Sequence, residues 1–100
     1  MFEFEWSPQA EEHLKQLNAD RSLLQHAKAV QKALRFLRDP GPSYPSLNVH
    51  KWDDDPCPHG GELKEAYAEN NTPAAWRIFF CLTPNKVRTL TIVAITRHDN

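Results

Sequence analysis

At 100 residues, 40% of them hydrophobic and 10% aromatic, the chain has the length of one domain and enough apolar surface for a core, which excludes disorder as its resting state. No apolar run exceeds the five residues Ile78 to Leu82, against the roughly 20 of a membrane span, and the acidic opening MFEFEWSP lacks the basic start of a secretory signal. A formal net charge of −1 excludes an indiscriminate polyanion binder.

Phe2, Phe4 and Trp6 alternate with Glu3 and Glu5, the pattern of a short two-faced strand. Ser7-Pro8 then supplies a capping hydroxyl and a proline at the first helical position. The helix it opens carries Ala10, Leu14 and Leu17 on one face. After a turn at Asn18 to Arg21, Ser22 to Gln25 fits a capping box for a second helix. Its apolar stripe is Leu23, Ala27, Val30, Leu34 and Leu37, and Asp39-Pro40-Gly41-Pro42 ends it. The two helices form a helical hairpin. Residues 39–61 are irregular and contain five prolines, with a strand expected over Ser46 to Trp52. Leu63 to Glu69 is the next strand, followed by Trp76 to Leu82, a hairpin loop at Thr83 to Lys86, and a return strand from Val87 to Ile95. The order is β-α-α-β-β-β with the strand at Ser46 to Trp52 as an extra one before the last three, an α+β domain over residues 1–100.

Charge is segregated along this order. Residues 1–20 and 52–75 are acidic, whereas 21–51 and 76–100 are basic. Arg21, Lys28, Lys32 and Arg35 fall opposite the apolar stripe of the second helix, as a solvated face or a contact for RNA or an acidic partner. Arg77 stands in an apolar strand, either facing a phosphate or paired with Glu65 or Glu69. Arg97 and His98 follow the last strand; unbroken alternation points them to opposite faces, and a bend at Thr96 is needed to bring both to one site. Tyr67 reads as a buried strand tyrosine or a stacking group. His50, Cys57, His59 and Asp53 to Asp55 have no spacing of a closed zinc site, so no metal is expected there. Cys57 and Cys81 are too few for a disulfide framework, which reads as a reduced, cytoplasmic protein.

Five stretches, FEFEWSPQAEEHL, LLQHAKAVQKALRFLRDP, GELKEAY, NTPAAWRIFFCL and TLTIVAITRHD, resemble the RelE/ParE superfamily of toxins from bacterial type II toxin–antitoxin modules. Together they cover nearly the whole chain. The resemblance implies an N-terminal strand, a two-helix hairpin and a curved antiparallel sheet of three to four strands. It also implies a cognate antitoxin bound as an extended or helical segment, with oligomers formed through it. Many such toxins cleave mRNA on the ribosome without metal or cofactor; the ParE branch inhibits DNA gyrase instead. A non-toxic binding module on the same fold is the third reading.

In the pattern Trp76-Arg77-Ile78, Arg77 matches the family arginine that stabilises the transition-state phosphate. Arg97 and His98 match a second basic pair, and Lys64 or Glu65 falls where family members place a lysine or a glutamate. No tyrosine follows Tyr67, whereas RelE-like members hold one in a C-terminal tail. Metal-free cleavage needs a base at the 2′-hydroxyl, cationic donors on the phosphate and an acid at the leaving 5′-oxygen. On this reading Arg77 holds the phosphate with Arg97 as helper, Glu65 is the base, and His98 carries a proton.

Overall fold

A computed structural model of the protein describes residues 1–52, 56–70 and 74–97. The first strand, β1 (Glu3–Trp6), leads through Ser7 into α1 (Pro8–Ala19). Ser7 Oγ accepts from Ala10 N at 3.0 Å and donates to the Val93 carbonyl at 2.9 Å, so one hydroxyl caps the helix and ties it to the last strand. The second helix starts later than the capping box predicts. The Asp20 carboxylate accepts from the Ser22 amide at 2.9 Å and from its hydroxyl at 2.6 Å, which builds a 3₁₀ turn over Arg21–Leu23. Those bonds hold the Asp20 carboxyl below the usual carboxylate value. Helix α2 (Leu24–Arg38) follows, and Ala27, Val30, Ala33, Leu34 and Leu37 on its inner stripe are buried.

The expected strand at residues 46–52 is reduced to a two-residue β2 (His50–Lys51), and its beginning belongs instead to a 3₁₀ turn, Pro45–Leu47. Then come β3 (Lys64–Tyr67), β4 (Trp76–Leu82) and β5 (Thr89–Arg97). The sheet order is β1-β5-β4-β3-β2. Three of its pairings are antiparallel, but β1 lies parallel to β5, Glu3 opposite Thr89 and Trp6 opposite Ile92. The four strands after the helices thus form the expected antiparallel sheet, and β1 joins its edge in parallel because the helical hairpin and three more strands intervene, a long crossover such as parallel neighbours require. The β4–β5 loop is also longer than expected, because Asn85 and Arg88 take left-handed conformations (φ 62° and 51°) and the ladder resumes only at Thr89.

Both helices cover one face of the sheet. The core there includes Leu17, Val30, Leu37, Ala66, Ile78, Phe80, Leu90, Ile92 and Ile95. A bulge between Phe79 and Phe80 sets Phe79 opposite Ala94 but Phe80 opposite Ile92. The bulge changes the parity of β5, so that Ile95 joins Leu90 and Ile92 in the helix-covered core. The opposite face carries a smaller cluster of Cys57, Leu63 and Cys81 with Trp52, Phe79 and Val93 against it. Cys57 and Cys81 are joined as a disulfide, which corrects the expectation of two free thiols. Register explains the miss: the two are 24 residues apart, and only the fold of the loop before β3 brings them together.

Gly41 closes the chain after α2 with φ 122°, and a Cβ there would collide with the Phe2 ring. Gly41→Ala is therefore expected to cost about 1–3 kcal/mol through left-handed strain and overpacking. Thermal unfolding checks this, with a midpoint drop of roughly 4–8 °C per kcal/mol for a domain of this size.

Candidate active site

Glu65, Tyr67, Arg77 and Phe79 share the sheet face away from the helices, since Glu65 pairs with Phe79 and Tyr67 with Arg77. Glu65 is fully buried and its Oε2 accepts from Arg77 Nη1. Of the two carboxylates that could hold Arg77, Glu65 is the one. Glu69 instead contacts His26 Nδ1 at 2.9 Å and accepts from the Trp76 amide at 3.2 Å.

His50 completes the group. It stands opposite Glu65 in the β2–β3 ladder, with Nε2 2.6 Å from Glu65 Oε1. That contact is close but not aligned as a hydrogen bond, since Oε1 has no hydrogen-bond partner among the described residues. Nδ1 lies 2.9 Å from the Asn48 carbonyl. Both ring nitrogens thus lie beside oxygen atoms. Tyr67 meets the His50 ring edge-on, at 5.4 Å between centroids and 78° between planes. The guanidinium carbon of Arg77 lies 5.5 Å from the Trp52 ring and 5.6 Å from the Phe79 ring, two faces that favour a cation. Trp52 and Phe79 pack edge to face at 5.2 Å.

The result is an acid, a permanent cation, an imidazole and a phenol within one patch. The Arg77 side chain is 11% exposed, and its Nε is buried without a partner among the described residues. An unpaired buried guanidinium N–H carries a desolvation cost that an incoming acceptor would relieve. The His50 side chain, 45% exposed, is the most exposed member of this patch.

The other sequence candidates are placed differently. Arg97 pairs with the buried Trp76, and the β5 bulge puts it on the helix side. There it lines a groove with His13, Leu17, Asp20, Leu23 and Trp76, on the face opposite Arg77. Lys64 alternates with Glu65 and so faces away from the Glu65–Arg77 pair; its Nζ lies 3.9 Å from Glu62 Oε1. His98 and Asp53 to Asp55 lie outside the described residues. Of the residues considered for zinc, His50 lies on Glu65, whereas Cys57 and His59 lie together beside Cys81. His50 and Trp52 are the site residues that motif reading did not assign. Their alternation in Val49-His50-Lys51-Trp52 was a usable signal, but the register that sets His50 on Glu65 was not in it.

This order of strands and helices is found in solved structures of small bacterial toxins, and the chain shares that fold. It superposes on the YoeB dimer structure from Staphylococcus aureus with a TM-score of 0.67 at 14% identity, covering 98% of each chain. A copper-bound mutant toxin from Helicobacter pylori gives 0.61 at 14% identity, covering 98% of this chain and 96% of that one. YafQ in the E. coli DinJ–YafQ complex gives 0.61 at 15% identity, covering 98% and 94%. No protein-family model and no curated protein sequence matches the chain.

Proposed function

We propose that the chain is the toxin of a type II toxin–antitoxin pair and cleaves mRNA without a metal, acting in the cytoplasm on ribosome-bound message. The observation that carries this reading is the buried Glu65–Arg77 pair with His50 beside it, on the open face of a toxin fold. Glu65 takes the proton from the 2′-hydroxyl, and the freed oxygen attacks the adjacent phosphorus. Arg77 donates to the non-bridging oxygens as negative charge grows on them. His50 gives a proton to the departing 5′-oxygen, leaving a 2′,3′-cyclic phosphate and a 5′-hydroxyl. Arg97, on the other face, takes no part in these steps.

A cognate antitoxin is the expected protein partner, as the DinJ–YafQ toxin–antitoxin complex is for its own chain. Exposed Lys28, Lys32 and Arg35 on the outer face of α2 suit an acidic partner or the RNA backbone. The closed state of Arg77 favours a second reading, a binding module that keeps the ion pair for structure alone.

Induced expression in bacteria, with mapping of new RNA 5′ ends, separates the two. Wild type is expected to arrest growth and produce new 5′-hydroxyl ends, and Glu65→Gln to lower cleavage roughly a hundredfold or more. Arrest without cleavage would point to gyrase or another target. Normal growth with folded protein would leave the binding module.

A further inference from the structure

Cys57, His59 and Cys81 place three potential ligand atoms within 4.8 Å of one another, outside the Glu65–Arg77 group. Their proximity is built by a tight turn. The Gly60 amide donates to the Cys57 carbonyl at 2.8 Å, and the Cys57 amide donates to the Gly61 carbonyl at 2.9 Å. Gly60 takes φ 88° with no side chain to oppose it. The turn folds His59 back until its Nε2 lies 3.6 Å from Cys81 Sγ. A tetrahedral zinc ion with Zn–S of about 2.3 Å and Zn–N of about 2.05 Å has an S···N edge of about 3.6 Å.

The rest of the environment agrees. The Cys57 and Cys81 side chains are buried and His59 is exposed, so the donor set opens toward solvent on the imidazole side. The His59 ring rests against Gly61, where an added Cβ would stand 3.4 Å from it. Two sulfurs and one imidazole suit a borderline cation better than Mg²⁺ or Ca²⁺, which take oxygen ligands.

We propose that the reduced protein binds one Zn²⁺ through Cys57, Cys81 and His59, with water as the fourth ligand. The disulfide is the metal-free alternative of the same site. Two electrons and two protons from a reductant convert it to two thiols; Zn²⁺ then displaces both thiol protons. Either state ties the loop carrying Trp52 to β4, because Trp52 and Phe79 pack on this cluster as well as over Arg77. The inference does not depend on mRNA cleavage.

The test uses the full chain reduced with a phosphine under nitrogen, titrated with Zn²⁺ against a chromophoric chelator, and with Co²⁺ to show thiolate charge-transfer absorption. One equivalent of zinc is expected for the dithiol form and none for the disulfide form. His59→Ala changes an exposed residue and is expected to weaken binding about tenfold or more, whereas His50→Ala leaves it unchanged. Zinc uptake by the disulfide form, equal uptake by wild type and His59→Ala, loss of uptake in His50→Ala, or no uptake by the dithiol form would each overturn the site.

Discussion

Replacing Arg77 by alanine will destabilise the protein by about 3–5 kcal/mol, as expected when one partner of a buried ion pair is removed and the other charge is left behind. Glu65 is fully buried, and the neighbour left beside its carboxylate would be the half-exposed His50. Domains of this size hold roughly 5–15 kcal/mol in total, so the variant sits near the edge of folding. Loss of toxicity in Arg77→Ala alone would therefore say little about chemistry. Two further variants separate the effects. Arg77→Lys keeps the charge but loses the planar fork that grips a phosphate, and is expected to fold yet cleave roughly a hundredfold more slowly. The double variant Glu65→Leu with Arg77→Met replaces the pair by apolar groups of similar volume, which is often neutral or stabilising. It is expected to recover most of the lost stability in urea titrations and to yield no new RNA ends. A double variant that still arrests growth and cleaves RNA would remove both residues from the reaction.

What could be read from the sequence follows from which interactions are local. Ser7-Pro8 and the apolar stripe of α2 specify their helices through neighbours three and four residues away, and both helices are present, α1 from Pro8 as expected. Period two in Trp76 to Leu82 likewise identifies β4. Partner choice between distant strands is not local. Nothing in Phe2 to Trp6 says that its neighbour is β5 or that the pair runs parallel. The bulge has the same character: one extra residue in β5, which alternation does not announce, moves Arg97 to the helix side. A short range also hid the start of α2, where Asp20 outcompetes the Ser22 cap by accepting from Ser22 itself. For the site, Glu65 and Arg77 were legible as residue types that an apolar strand does not need. His50 and the Cys57–Cys81 link were not, because residues 39–61 offer no periodicity from which to derive register.

Alternation along β4 sets up the second large effect, a contrast between adjacent phenylalanines. Phe80 is 1% exposed among Ile78, Leu90 and Ile92 under the helices, so Phe80→Ala removes a ring from the main core and leaves a cavity. The expected cost is about 3–5 kcal/mol. At roughly 4–8 °C per kcal/mol the midpoint should fall by about 12–40 °C, which can unfold the protein at growth temperature. Phe79 is half-buried on the other face, where it contacts the smaller cluster and Trp52. Phe79→Ala is expected to cost less, about 1–2 kcal/mol, because less apolar surface leaves its shelter. Its effect on cleavage should nevertheless exceed its effect on stability. The variant removes one of the two aromatic walls beside Arg77 and frees Trp52, the other, from its edge-to-face contact. Thermal midpoints of the two variants, with RNA 5′-end mapping of Phe79→Ala, check both claims. Equal midpoints would mean that the helix-covered face is not the dominant core, and unchanged cleavage in Phe79→Ala would separate Arg77's aromatic surroundings from its proposed role at the phosphate.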